Sequence, residues 1–421
     1  MNEHSSTTSL EAVHSLSVAI ATAADAGKIY DLILDVVVKT LGVERASIMR
    51  YDSSIGALRI VAARGISPEI VKNALVKVGE GISGKVFVSN EPLLIKEIKA
   101  EEAGPGKGQY RTKSLISAPV TCFPMKVGKD AFGVINVTDR SDGSPFTESD
   151  LKLLTTLANQ AAAYLHIEQL MEERQANERL KQQLEIARQI QYRLVPVDSP
   201  KIEGLDVAGR LITAERVGGD YYDCFTNDPK KPSFVIADVS GHSVGAALIM
   251  AAFRSAMRAQ RDWEFNSSEL MQKINTILFE DLFQAEQFIS ATYLQYIKSR
   301  QLIEYTSAGH PPPIVWRNAD AAFEEHGTGD PLLGIEPKAV FHQRQVVVSK
   351  GDVIVLYTDG ITEAVDKNGE RFGHDRLKEC LRDAVVGSAQ QIVDVLVETV
   401  QAFIDPLPAR DDITALVIKV G

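Results

Sequence analysis

The chain has few cysteines, no long apolar run and no excess of positive charge. Its 421 residues include three scattered cysteines, Cys122, Cys224 and Cys380, which support neither a disulfide framework nor a zinc knuckle. The apolar runs are shorter than the ~20 residues of a membrane-spanning helix, and Met1 to Ser9 is too polar for a signal peptide. A net charge of -11 argues against nucleic acid as a main partner. We therefore expect a cytoplasmic protein without membrane insertion.

The length allows two or three domains, and residues 10–166 carry the pattern of the first. Apolar positions at helical spacing are followed by short strand-like runs, which predicts helices packed on an antiparallel sheet. Thr147 and Asp150 form a capping pattern at the start of a long helix. Four motifs follow one another in this part: Gly79-Glu-Gly-Ile-Ser-Gly84, Ser117-Ala-Pro-Val120, Gly133-Val-Ile-Asn-Val137 and Phe146-Thr-Glu-Ser-Asp150.

Together these motifs resemble a GAF sensory domain. The resemblance implies that residues 10–166 bind a small molecule or a protein input, whose identity the sequence leaves open. Cyclic-nucleotide-binding members carry an Asn-Lys, Phe, Asp-Glu pattern, of which Asn136, Phe146 and Asp150 match, while Val137 and Leu151 replace the Lys and Glu. This departure argues against a cyclic nucleotide.

Residues 167–198 predict a helical linker, because proline is absent until Pro196. A series of positions in the linker follows alternating steps of four and three residues: Leu180, Leu184, Ala187, Gln191 and Leu194. This spacing makes the linker a candidate coiled coil and the protein a candidate homodimer. The alternative is a single helix that packs on its own domain.

Residues 199–421 mix many strand-like runs with helices that come in pairs. Strands and helices seldom alternate regularly, so this part predicts an α+β layered sandwich rather than a doubly wound sheet.

Acidic residues border several of the predicted strands in this part. Asp238 ends the run Phe234 to Ala237, and three other acid-bearing segments contain Asp220, Asp359, and the pair Asp411 and Asp412. Carboxylates gathered in this way would repel one another unless a cation is bound. Mg²⁺ and Mn²⁺ prefer such oxygen ligands together with waters, so we expect a hard-cation site.

Six ordered motifs carry a second resemblance: Gln189-Ile-Gln-Tyr-Arg-Leu-Val-Pro196, Gly218-Gly-Asp-Tyr-Tyr-Asp223, Ala237-Asp-Val-Ser-Gly-His-Ser-Val-Gly-Ala246, Ser307-Ala-Gly-His-Pro-Pro312, Tyr357-Thr-Asp-Gly-Ile-Thr-Glu363 and Arg410-Asp-Asp-Ile-Thr414. They resemble the SpoIIE/RsbU-type branch of the metal-dependent PPM serine/threonine protein phosphatases. The family has an α/β/β/α sandwich fold, which is the expectation for residues 199–421.

The resemblance implies roles for six residues at a centre of two Mn²⁺ or Mg²⁺ ions. Asp238 would bridge both ions, and the backbone carbonyl of Val239 would complete one site. Asp359 and Asp411 would hold the other ion. Asp220 would bind an ion directly or through water, and Asp412 would be either a ligand or a supporting residue. The nucleophile would be hydroxide generated at the ions, which leaves Cys224 no catalytic role.

Two histidines and two further acids lie beside these motifs. His242 and His310 are candidates for catalysis, although loop histidines more often have structural roles. Asp223 and Glu363 are interpreted as solvated or capping residues outside the core set.

These features predict a phosphoserine or phosphothreonine protein phosphatase controlled by its N-terminal sensor. The resemblance implies that its substrate is a phosphorylated STAS-domain anti-sigma-factor antagonist in a partner-switching pathway. The order of the parts suggests that the linker passes the signal to the helices that follow Asp238. Two alternatives stay open: a catalytically weak signalling scaffold that relays the sensor state through dimerisation, and a different phosphoesterase such as a nucleotide hydrolase.

Overall fold

A computed structural model describes residues 10–18, 28–95, 131–196, 199–241, 243–260, 265–325, 327 and 329–421, and the backbone of 115–121. Its internal contacts divide the chain into two compact units, Met1–Glu178 and Arg179–Gly421. Within those described ranges, no helix combines the length and the apolar character required to traverse a bilayer.

The N-terminal unit is built on a six-stranded antiparallel sheet with the strand order β3-β2-β1-β6-β5-β4. The strands are β1 (Val43–Asp52), β2 (Ala57–Arg64), β3 (Leu75–Lys77), β4 (Leu93–Ile95), β5 (Leu115–Thr121) and β6 (Ala131–Arg140). The first four helices are α1 (10–18), α2 (Ile29–Leu41), α3 (Pro68–Asn73) and α4 (Gly81–Ser89). Ile33 and Val37 of α2 are buried in one apolar cluster with Ile48 of β1 and Ile135 of β6. The predicted sheet with flanking helices is therefore confirmed.

Helix α5 (Glu148–Tyr192) contains 45 residues. It begins at the predicted cap, where the Asp150 carboxylate accepts a hydrogen bond from the Thr147 backbone N–H at 2.8 Å and the Asp150 N–H donates to the Thr147 hydroxyl at 3.3 Å. The positions predicted as a coiled-coil seam differ in environment, because Leu180 is exposed and Gln191 is buried.

The C-terminal unit contains two five-stranded sheets, in the orders β14-β11-β10-β9-β8 and β13-β12-β15-β16-β7. Every strand pairing in both sheets is antiparallel. The strands are β7 (Leu205–Ile212), β8 (Tyr221–Phe225), β9 (Ser233–Val239), β10 (Ile289–Ile297), β11 (Leu302–Ala308), β12 (Ile314–Arg317), β13 (Ala322–Glu325), β14 (Arg344–Val347), β15 (Val353–Tyr357) and β16 (Ile413–Val420). The helices are α6 (Val244–Ala259), α7 (Ser267–Ala285), α8 (Asp359–Thr362), α9 (Gly373–Ala384) and α10 (Ala389–Ile404).

Strand β15 explains how these elements form layers. Its side chains point alternately to the two faces of the sheet, and both faces are apolar. Ile354 and Leu356 belong to the core shared with the other sheet and with α6 and α7. Val353 and Val355 pack with α9 and α10 on the opposite face. The order of layers is helices, sheet, sheet, helices, which confirms the predicted α/β/β/α sandwich.

Several elements differ from the sequence expectations. Strand β8 and helix α9 were not predicted, because β8 is short and has an aspartate at its centre, while α9 buries only Leu377 and Leu381. The run Val340 to Val348 predicts a strand, and the structure has a shorter one there, β14 (Arg344–Val347).

Candidate functional site

Antiparallel pairing brings the predicted acids together at neighbouring strand ends. In one sheet, Tyr221 at the start of β8 lies opposite Ala237 near the end of β9. Asp220 therefore lies next to Asp238. In the other sheet, Tyr357 at the end of β15 lies opposite Ala415 near the start of β16, which brings Asp359 close to the pair Asp411 and Asp412.

Asp220 connects the two sheets at this edge. Its side chain is 1% exposed, and its Oδ2 accepts hydrogen bonds from the Thr358 hydroxyl at 2.8 Å and the Thr414 hydroxyl at 2.5 Å. Thr358 follows β15 and Thr414 belongs to β16. The sequence reasoning missed both threonines, although both lie inside the quoted motifs. They hold one oxygen of Asp220 in place.

Asp412 is a second buried acid, and its role is to order the backbone around Asp220. Its Oδ1 accepts a hydrogen bond from the Ala214 N–H at 2.8 Å, and its Oδ2 accepts one from the Asp220 N–H at 3.3 Å. A Cβ added at Gly218 would overlap this carboxylate, so only glycine fits there. Both oxygens of Asp412 are engaged by protein, which favours the supporting role over that of a ligand.

Asp238 experiences the strongest accumulation of negative charge. Burial raises its pKa to about 8, together with the charges of Asp359, Asp411 and Asp412, while a hydrogen bond with Asp220 offsets only part of the rise. The pKa of Asp220 is also well above its usual value, because of burial and then of the charges of Asp238 and Asp412. The acids at this edge therefore destabilise one another when all are ionised.

The remaining predicted metal ligands are Asp359, Asp411 and Val239. Burial raises the pKa of Asp359, as do the charges of Asp411 and Glu363. Asp411 is exposed, and its carboxylate accepts a hydrogen bond from the Asp412 N–H at 2.9 Å. A Cβ added at Gly219 would lie 2.5 Å from the carbonyl oxygen of Val239, so this carbonyl lies beside the residue that precedes Asp220.

The donor set fits a hard divalent cation. All six predicted groups offer oxygen, and cations would offset the repulsion that raises the pKa values of Asp220 and Asp238. Within the described part of the chain, no group of three or more acidic, histidine or cysteine side chains is arranged so that these side chains alone could hold a metal ion. Mg²⁺ does not require such a cage, because it keeps several waters and binds through one or two carboxylates.

His310 occupies a buried position between the two sheets. Its Nδ1 is 2.7 Å from the hydroxyl oxygen of Ser290, and Ser290 lies opposite Asp238 in the strand register. Burial lowers the pKa of His310 to about 3, which the nearby backbone of Tyr357 only partly offsets. A neutral, enclosed imidazole favours the structural role. His242, the other histidine of interest, lies outside the described residues.

Asp223 and Glu363, which were not predicted to be metal ligands, have different environments. Asp223 was interpreted as solvated or capping, and this is wrong: it is fully buried and accepts hydrogen bonds from Arg258 at 2.8 and 3.0 Å. Glu363 is exposed and pairs with Arg371 at 2.8 Å.

Gln191 links the end of α5 to the segment that carries Asp220. Its side-chain amide donates to the Gly218 carbonyl at 2.7 Å, and its amide oxygen accepts from the Gly218 N–H at 3.1 Å. Because the side chain is 5% exposed, it is engaged within its own unit rather than available to a partner helix. The sequence analysis interpreted Gln191 as a polar position of the coiled-coil seam, although the residue also lies inside the first of the six motifs. Its partner Gly218 could not be recognised from the sequence.

Two family models match the chain in the same order as the two units. Residues 25–165 match the GAF domain, and residues 228–421 match the stage II sporulation protein E (SpoIIE) family.

The chain is also similar to curated bacterial proteins. It is 29% identical over 240 residues to phosphoserine phosphatase RsbU of Bacillus subtilis (strain 168), which covers 57% of this chain and 70% of RsbU. It is 25% identical over 204 residues to phosphoserine phosphatase RsbP of the same organism, covering 47% of this chain and 49% of RsbP. Protein IcfG of Synechocystis is 28% identical over 262 residues, covering 56% of this chain and 41% of IcfG. The chain thus spans less than half the length of RsbP and IcfG.

A solved structure supports the fold. The SiaA-PP2C domain of Pseudomonas aeruginosa is 19% identical with a TM-score of 0.51, over 58% of this chain and 99% of that domain. From the two family matches, the relatives and the layered fold, the chain joins an N-terminal GAF domain to a C-terminal SpoIIE-type domain of the PPM serine/threonine protein phosphatases.

Proposed function

We propose that the chain removes phosphate from phosphoserine or phosphothreonine of a protein, under the control of its GAF domain. The observation that carries this proposal is the buried acidic cluster, in which the pKa of Asp238 rises to about 8 because neighbouring carboxylates surround it. A site with such a surplus of negative charge is suited to binding cations together with a phosphate.

In this proposal Asp220, Asp238, Asp359 and Asp411 hold two Mn²⁺ or Mg²⁺ ions with the Val239 carbonyl. Cations bound there would neutralise phosphate charge and lower the pKa of water. The residues of the chain position them: Thr358 and Thr414 fix Asp220, and Asp412 orders the backbone on which Asp220 lies.

The substrate and the partners are further parts of the proposal. A phosphorylated STAS-domain protein in a partner-switching pathway fits the resemblance to the RsbU-type branch. Exposed apolar side chains along α5, including Ile167, Met171, Ile186 and Ile190, favour pairing of two copies. The input to the GAF domain is a small molecule or a protein.

The test is phosphate release from purified phosphorylated STAS-domain proteins as Mn²⁺ is titrated, with the intact chain and Asp238→Asn. We expect metal-dependent release that falls at least about 10³-fold in the variant, because removal of a shared ligand costs several kcal/mol of transition-state stabilisation. Release that persists under exhaustive chelation contradicts the mechanism. Nucleotide hydrolysis faster than phosphoprotein hydrolysis would identify a different phosphoesterase. No hydrolysis of either substrate would support the alternative of a signalling scaffold.

A further inference from the structure

A cavity of about 170 Å³ lies directly beside the acidic cluster. Gly360 and Asp411 line one end of it, and Gly360 follows Asp359 in the chain. The two segments that carry Asp359 and Asp411 continue away from the cluster and form the two walls. The cavity therefore adjoins the acidic cluster at Asp411.

The wall that follows Asp359 is held by a set of polar contacts. Arg371 pairs with Glu363 at 2.8 Å, and both residues line the cavity. Arg376 donates to the Arg371 carbonyl at 2.6 Å. Asp366 accepts backbone hydrogen bonds from Asn368 and Glu370 at 2.9 and 2.8 Å, which closes the turn. A wall fixed in this way loses little conformational entropy when a ligand binds.

Part of the cavity lining is apolar, beside the charged side chains already named. Ile404 and Ile413 are 7% and 1% exposed, and both line it. Ala364 lies on one wall and Ala409 on the other, each half-buried. Small-molecule sites in proteins usually occupy about 300 to 1,000 Å³. A cavity of 170 Å³ has room for a single side chain instead.

Arg410 also lines the cavity, next to Asp411. Its side chain is exposed, and it forms no hydrogen bond or ion pair with any residue that the structure describes. The other arginine that lines the cavity, Arg371, is paired with Glu363. An exposed, unpaired guanidinium that lines a cavity is suited to a carboxylate on the molecule that enters.

We propose that this cavity is a subsite for the substrate protein, in which an aliphatic side chain adjoining the phosphoserine is buried and an acidic side chain nearby pairs with Arg410. The inference rests on the proposed phosphatase function and adds to it the sequence that the site prefers. The Ile404 and Ile413 floor selects the aliphatic side chain, and Arg410 selects the acidic one.

The first experiment measures kcat/KM with Mn²⁺ for phosphoserine peptides that carry either leucine or glycine on both sides of the phosphoserine. The intact chain should prefer the leucine peptide at least about tenfold, because a hydrophobic pocket discriminates by this amount. Ala409→Leu fills the cavity and should reduce the preference below about threefold. Ala402→Leu, at an exposed position of α10, is the matched control and should keep the preference.

The second experiment tests the charged part with peptides that carry either glutamate or glutamine near the phosphoserine. The intact chain should prefer the glutamate peptide about fivefold, as expected for a charge-assisted pair at an exposed rim. Arg410→Gln should abolish this preference. Arg300→Gln, which alters an exposed arginine of the turn between β10 and β11, should retain it.

The outcomes separate this inference from the proposed function. Equal hydrolysis of the peptides within each pair by the intact chain overturns the subsite and leaves the phosphatase proposal standing. A leucine preference that survives in Ala409→Leu, with the fold intact by circular dichroism, also overturns the subsite, because the leucine side chain must then be recognised elsewhere. Failure to hydrolyse both the peptides and p-nitrophenyl phosphate rejects the phosphatase function itself.

Discussion

Asp220 lies directly before β8 and Asp223 lies at the centre of this strand. Both are buried to the same extent, yet their charges are balanced in different ways. Asp223 is fully buried and receives two hydrogen bonds from Arg258, and the Tyr221 hydroxyl donates a third. Asp220 is 1% exposed, receives hydrogen bonds from two neutral threonine hydroxyls, and has Asp238 and Asp412 as charged neighbours.

This difference separates a structural acid from a functional one. The cation that balances Asp223 is part of the fold, and the pair ties α6 to β8. The groups that most affect the pKa of Asp220 are other carboxyl groups and hydroxyls. Burial alone is therefore a poor guide to function, and the sign of the neighbouring charges is the better guide.

The largest expected effect separates the two aspartates by activity. Asp220→Asn should reduce kcat/KM for a phosphoserine peptide by roughly 100-fold, since about 3 kcal/mol of metal-dependent stabilisation is lost. Asp223→Asn should leave the activity per folded molecule within about threefold. The measurement is steady-state phosphate release at saturating Mn²⁺. An equal loss in the two variants would remove the distinction between the two aspartates.

The second largest expected effect is on stability, and here Asp223→Asn should be more damaging than Asp220→Asn. Asp223→Asn breaks the pair with Arg258, and we expect the free energy of unfolding to fall by roughly 2 to 4 kcal/mol. The loss should stay below the full value for a buried pair because Arg258 is partly solvated. Asp220→Asn should leave the metal-free stability at pH 8 unchanged or raise it, since it removes a buried carboxyl group whose ionised form is disfavoured by burial and by Asp238 and Asp412. Urea unfolding in EDTA decides between these results.

The smallest expected effect is the pH dependence of the metal-free protein. The pKa of Asp238 rises from its ordinary value of 3.8 to about 8 on folding, so between these values the folded state holds a proton that the unfolded state has lost. Stability should then decrease as pH rises through this window. We expect the melting temperature in EDTA to be a few degrees lower at pH 8.5 than at pH 6.

Mn²⁺ should reverse much of that pH trend, because the ions bind the ionised carboxylates. Asp238→Asn is the matched control, and its melting temperature should depend less on pH in EDTA. A trend of the same size in this variant would show that other groups cause it.

Much of the fold follows from local patterns. The capping pair Thr147 and Asp150 marks the start of α5, and alternating or continuous apolar runs indicate β9, β10, β15 and β16. Strand β8 and helix α9 have weak signals for physical reasons. The polar centre of β8 is tolerable because Arg258 and Tyr221 donate hydrogen bonds to Asp223, and α9 buries only two leucines. Neither feature can be recognised without knowing the neighbouring elements.

The candidate site, like the fold, could be predicted only in part from the sequence. Motifs identify Asp220, Asp238, Asp359, Asp411 and Asp412, whose roles as ligands stay predictions. The sequence analysis missed the parts that depend on long-range pairing: the threonine hydroxyls on Asp220 and the contact between Gln191 and Gly218. It also interpreted Asp223 as solvated or capping, because its partner Arg258 lies 35 positions away in the chain.

The sequence by itself determined the kinds of element, the order of the two domains and the acidic residues, because periodicity and motif chemistry are local. Only the tertiary structure decided which acids have a positively charged side chain beside them to balance their charge. Strand register sets which charges become neighbours, and residues far apart in the chain become partners only when the sheets and helices have packed. That is why Asp223 lies against an arginine, whereas Asp220 lies against Asp238 and Asp412.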